Sequence, residues 1–180
     1  MKTSTLALMA LLSVGGCATM HATEQTQEAP ALARAPIFYV EPLTFAVAEP
    51  AEEAHQWAQH VDKWQSAYAA GVQDYARSQL GARRIVVLAP GQTVAQGIIV
   101  RSRIAAIRRS GMGGFGTDHV QGEVSFIDAA SGQPVLAAKV DANSDRFGFE
   151  NWTFGGRMKF CSLNLAKGVV FAMSTGRLPQ

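Results

Sequence analysis

Gly111, Gly113 and Gly116 satisfy G-x-G-x-x-G, a spacing that lets a loop bring backbone N–H groups against a pyrophosphate. Such a loop needs a strand before it and a helix after it, so that the phosphates meet a helix N-terminus. Here the residues after Gly116 alternate: Val120, Val124 and Phe126 against His119, Gln121, Glu123 and Ser125. That is the period of a half-buried strand. No P-loop lysine follows, so no nucleotide is expected, and the glycines read as a connection that tolerates positive φ. Asp141-x-Asn143-x-Asp145 opens like a calcium loop, then places Arg146 where the turn wants glycine and Trp152 where a bidentate glutamate belongs. No metal is expected. His55 and His60 face different ways on a helix, and neither H-E-x-x-H nor G-x-S-x-G occurs. The sequence points to no catalytic residue and no cofactor, hence to a protein that is not an enzyme.

Four arginines, Arg101, Arg103, Arg108 and Arg109, occur with no acid between them. Two readings stay open. They form a solvated sheet face partly neutralised by Glu123, or a surface with surplus positive charge for lipid headgroups, peptidoglycan carboxylates or an acidic protein patch. Arg101, Arg103 and Arg109 fall on one side of an alternating strand. With Gly111, Gly113, Gly114 and Gly116 they make the candidate interaction surface. The net charge of +2 over 180 residues gives no basic field for nucleic acid.

The two cysteines read differently. Lys2 precedes an apolar run, Leu6 to Val14, too short to span a bilayer, which fits an export signal. Val14-Gly15-Gly16-Cys17 directly after it resembles the bacterial lipobox, in which the cysteine is acylated and becomes the first residue of the mature chain. A signal cut near Ala18 or Ala22, discarding Cys17, is the alternative. Without aspartate at position 18, the resemblance implies the outer membrane. Cys161 then has no disulfide partner and lies among Phe160, Leu163 and Leu165, as a buried structural thiol would.

The elements that must position these residues follow from periodicity. Residues 1–16 are the expected signal peptide. Residues 17–35, mixing Ala, Thr, Gln, Glu and Pro, are an expected disordered tether reaching roughly 20–25 Å. One domain is expected over 36–176, about 140 residues with one core, and a tail over 177–180. Ile37 to Val47 is rich in β-branched and aromatic residues, with Pro42 marking an edge or bulge. Pro50, Glu52 and Glu53 suit a helix start, and Trp57, Val61, Trp64, Tyr68, Val72 and Tyr75 form one helical stripe ending near Gly81. Arg83 to Ala89, Gly97 to Ile107, the strand after the glycines and Pro134 to Ala142 read as strands, and Met158 to Met173 as a second helix. The fold class expected is α+β: a mixed, mostly antiparallel sheet of about five strands with two helices packed on one face.

With these elements in order, "FYVEPL", "VVLAPGQTVAQGIIVRSRI", "RRSGMGGFGTDHV" and "VSFIDAASGQPVLAAKV" make the chain resemble exported Gram-negative lipoproteins known as domain of unknown function 4410. Arg109, Gly111, Gly113, Gly114, Gly116, Asp128, Ser131 and Gly132 match that family's arginine, Gly-x-Gly loop, strand and Asp…Ser-Gly turn. The resemblance implies a fold related to modules of curli-secretion and penicillin-binding-protein-activator lipoproteins, which bind other envelope proteins. The expected function is therefore a non-catalytic protein-interaction module in envelope assembly or maintenance. It would be held in the outer membrane through acylated Cys17, facing the periplasm. A carrier of a small anionic lipid or glycan, bound between helix and sheet, is the alternative.

Overall fold

The computed structural model describes residues 20–26, 28–47, 56–109, 117–144 and 153–180. Cys17, Gly111, Gly113, Gly114 and Gly116, the helix start at Pro50 and Asp145 lie outside the described residues.

Among the described residues seven strands form one sheet: β1 (Met20–Gln25), β2 (Ile37–Val40), β3 (Thr44–Phe45), β4 (Arg84–Val87), β5 (Ile98–Arg108), β6 (His119–Asp128) and β7 (Pro134–Asn143). Their order is β1-β7-β6-β5-β2-β4, with β3 also on β5. The β5–β6–β7–β1 side is antiparallel, while β2 runs parallel to β4 and β5, and β3 parallel to β5. Two helices complete the α+β fold, α1 (Trp57–Gln79) and α2 (Phe154–Thr175).

The helices cross closely because Gly71 stands against α2, where an added Cβ would lie 3.0 Å from Ala166 Cβ. The Trp64 indole donates to Gly155 O at 3.1 Å, tying α1 to the first turn of α2. Thr153 caps that turn by accepting from Gly156 N at 3.0 Å. Alternate residues of β5, β6 and β7, among them Val100, Ile104, Val124, Phe126, Leu136 and Val140, are buried in one core with Trp64, Tyr68, Val72, Leu165, Val169 and Met173. The residues between them, Arg101, Arg103, Glu123 and Lys139, are exposed. Inside the core the Tyr68 hydroxyl and Ser102 Oγ are 2.8 Å apart, which satisfies both buried groups.

The sheet differs from the five strands expected, and so do the expected domain limits. Pro42 splits the first apolar run into β2 and β3. The expected tether contributes β1 and a 3-10 turn, Leu32–Arg34. β1 reads MHATEQ, with Thr23 as its one β-branched residue, so its strand character comes from β7 rather than from propensity. Met20, Leu32 and Ala29 are buried, with Met20 at 1% exposure packed on Gly168 of α2. That contact explains why glycine stands at position 168 within α2: any Cβ there would overlap the Met20 side chain. The expected tail is also part of the core, since Leu178 is 1% exposed and Pro179 O accepts from Ala22 N at 2.7 Å.

Candidate interaction face

Arg101 and Arg103 stand on the exposed side of β5, as their alternation requires. Arg109 does not join them. A bulge between Ile104 and Ala106 adds one residue, which inverts the inward–outward order beyond it. Arg108 is thereby in register with His119, while the Arg109 guanidinium carbon sits 4.6 Å from the Phe154 ring centroid. The bulge is accommodated by Gly122, because a Cβ there would overlap the Arg103 carbonyl.

The arginines of this face are partly neutralised: Arg101 and Arg103 stand beside acids, while Arg84 and Arg108 are exposed on it. Arg101 makes a two-pronged contact with Glu41, Nε to Oε2 at 2.6 Å and Nη2 to Oε1 at 2.9 Å. Glu41 is held there by its own N–H, which donates to Val100 O at 2.9 Å. The hydrogen bond to Glu41, opposed by partial burial, raises the Arg101 pKa above its usual value. One row along, Arg103, Glu123 and Lys139 are cross-strand neighbours in register, and Lys139 pairs in turn with Glu24 of β1 at 2.9 Å. That hydrogen bond raises the Lys139 pKa. Charges thus alternate across four strands rather than accumulating.

Toward the other end of the same face lies an apolar row. Val86 of β4 pairs with Tyr39 of β2, Tyr39 with Ile99 of β5, and Ile99 with Ile127 of β6. All four are half-buried. The β6–β7 connection closes this end: Ser131 N and Oγ both donate to Asp128 Oδ1 at 2.8 Å, and Gly132 takes φ 68°. These bonds hold the Asp128 carboxyl below its usual pKa.

Asp141 and Asn143 are engaged structurally. His119 Nδ1 donates to Asp141 Oδ1 at 2.7 Å and Gln121 Nε2 to Asp141 Oδ2 at 3.0 Å. Burial pushes the Asp141 carboxyl up, but these bonds outweigh it and the net pKa is lowered. Asn143 O accepts from Asn164 Nδ2 at 2.7 Å. Cys161 is buried, its Sγ 3.5 Å from Asp118 O, and burial raises its pKa, as an inert thiol requires.

Sequence reasoning missed three partners here. Glu41 lies 60 residues from Arg101. The buried pair of Asp118 and Arg157, 39 residues apart, carries no local pattern, although a lone arginine in an apolar helix is a signal in itself. His60 is the third, stacked on Trp64 with centroids 5.4 Å apart.

No protein-family model and no curated protein matches the chain. Among solved structures, a point variant of the PelC dodecamer from Paraburkholderia phytofirmans is 19% identical with TM-score 0.51, over 86% of this chain and 96% of that one. The PelC dodecamer in a second crystal form is 17% identical with the same TM-score and coverage. A Xanthomonas campestris protein of domain-of-unknown-function family 330 is 10% identical with TM-score 0.43, over 79% of this chain and 86% of that one. The likeness to PelC is one of fold.

Proposed function

We propose that this chain is an outer-membrane-anchored periplasmic lipoprotein that works as a non-catalytic protein-interaction module in envelope assembly or maintenance. The observation that carries the reading is the open sheet face, where an apolar row borders charges that alternate in sign. An apolar patch bordered by polar side chains is a composition that protein-binding surfaces use. The lipobox resemblance at Cys17 and the resemblance to domain of unknown function 4410 belong to the same reading. The PelC structures of similar fold are dodecamers, so assembly of this chain with itself belongs to it too.

Anchoring at Cys17 would hold the domain close to the membrane. Only Ala18 and Thr19 separate that cysteine from Met20, the first residue of β1. Three residue steps span at most about 11 Å, about half the reach expected of a disordered tether. Met20 pairs with Ala142, Ala142 with Val120, and Val120 with Ile107. The bilayer would therefore lie toward the end of the sheet where β5 stops and β6 starts. Crosslinking in cells followed by mass spectrometry is expected to recover a defined envelope partner, reduced by Arg101→Glu plus Arg103→Glu. An unchanged partner set would remove this face.

One observation favours the small-ligand reading. A groove of about 310 Å³ beside β4, between α1 and the sheet, is lined by Arg77 and Arg83 together with Gln73 and Ile85. Both arginines are already engaged, Arg77 with Asp74 and Arg83 with three carbonyls, which weakens their call on an anion. A thermal-shift series with anionic lipid and glycan fragments separates the two readings: a shift of several degrees would favour the carrier.

A further inference from the structure

We propose that the open face docks on the open face of a second copy of this chain, about a two-fold axis running along the strands between β5 and β6. This rests on the interaction-module reading and names its partner.

Three cross-strand pairs on β5 and β6 carry the argument: Ile99 with Ile127, Arg101 with Ser125, and Arg103 with Glu123. A two-fold axis between the strands lays each β5 residue opposite the β6 residue of the same row in the other copy. Ile99 then meets the second copy's Ile127, Arg101 meets its Ser125, and Arg103 meets its Glu123. Every row is complementary to itself under that operation, apolar to apolar, donor to hydroxyl and cation to carboxylate. Such self-complementarity is what an isologous interface requires. Tyr39, beside Ile99 on β2, extends the apolar row. Sheets that pack with their strands aligned, about 10 Å apart, leave room for these side chains to interdigitate.

The direction of the axis has a second support. An axis along the strands leaves the Met20 ends of both copies at the same end of the assembly, so two anchors at Cys17 would enter one leaflet. An axis lying across the strands would put the anchors at opposite ends. An acidic or basic foreign partner fits less well, because the alternating row offers it no net charge.

The experiment uses the full lipidated chain in detergent, followed by sedimentation and native mass spectrometry, with circular dichroism to verify folding. Wild type is expected to form pairs or larger assemblies built from pairs. Arg103→Glu and Glu123→Arg should each raise the dissociation constant about tenfold or more, since each sets like charges opposite one another twice. Mixing the two variants in equal amounts should restore assembly, although each chain still carries like charges side by side on its own sheet. Ile127→Glu should yield a folded monomer. A monomeric wild type overturns the proposal, as do assemblies unmoved by Arg103→Glu and Ile127→Glu, or variants that stay apart when mixed. Crosslinks in cells to a different envelope protein would in those cases leave the interaction-module reading standing; their absence as well would remove both.

Discussion

Arg157 Nε donates to Asp118 Oδ2 at 2.8 Å, with the two side chains 10% and 0% exposed. Asp118 also exchanges backbone and side-chain bonds with Ser144: its N–H donates to Ser144 Oγ at 2.9 Å, and its carbonyl accepts from Ser144 N at 3.0 Å. One residue therefore fastens three elements: its backbone ties the start of β6 to the end of β7, and its carboxylate holds the first turns of α2. A buried ion pair gains little over a packed apolar pair, but losing one partner leaves a charge buried alone. Arg157→Met is expected to destabilise the domain by about 3–5 kcal/mol. Asp118→Leu with Arg157→Met should recover much of that loss. Urea unfolding midpoints compare them, and equal losses in the single and double variants would contradict the account.

Asp141 sets an acid-side limit on stability. Its folded pKa is lowered, so the unfolded chain takes up the proton first as pH falls. Its contribution is complete above the ordinary aspartate value of about 3.9 and is lost as pH drops through the lower folded value. Asp141→Asn should therefore flatten the acid limb of a Tm-against-pH curve between about pH 5 and 2. An unchanged acid limb would show that the bonds from His119 and Gln121 do not couple to folding.

Gly122 is required by backbone contact rather than by conformational freedom. A Cβ at this position would overlap the Arg103 carbonyl across the bulge, and backbone on neighbouring strands yields little. Gly122→Ala should cost about 1–3 kcal/mol, the range of overpacking in a filled interior. Gly132→Ala, at φ 68° with open space around it, should cost only its backbone strain, about 1–2 kcal/mol. Chemical denaturation of the two alanine variants checks the order, and Gly132→Ala as the more damaging change would reverse the argument.

Periodicity made the long elements legible. The expected strand from Gly97 to Ile107 is β5, Ile98–Arg108, and the strand from Pro134 to Ala142 is β7, Pro134–Asn143. The stripe through Trp64, Tyr68 and Val72 is buried in the core. Illegible features were those made by distant contacts. β1 has no alternation of its own, and it exists because β7 offers an edge and Gly168 offers space for Met20. The bulge at Ala105 is invisible in a run where Ala105 and Ala106 fit either face, yet it separates Arg109 from Arg101 and Arg103. Glu41 sits beyond the end of β2, where alternation no longer indicates which strand it serves.

The segment read from sequence as a tether supplies the last prediction. Met20 fills the notch left by Gly168, and the neighbouring Ala22 N–H is fixed to the C-terminal Pro179 carbonyl at 2.7 Å. Leu178, buried at 1% exposure, is joined to β1 through its N–H, which donates to Gln25 Oε1 at 3.0 Å. β1 and the segment after α2 therefore hold each other against α2 and β7. Met20→Ala should cost about 2–5 kcal/mol, the range for emptying a buried methionine site. Leu178→Asp should cost more, because it buries an unpaired charge. If residues 17–35 were a free tether, both the Met20 variant and removal of that segment would leave the unfolding midpoint of the domain unchanged. The expected result is a lowered midpoint in each, with hydrogen exchange at Ala22 protected in wild type and exposed in Leu178→Asp, since the bond from Ala22 depends on the tail staying in place.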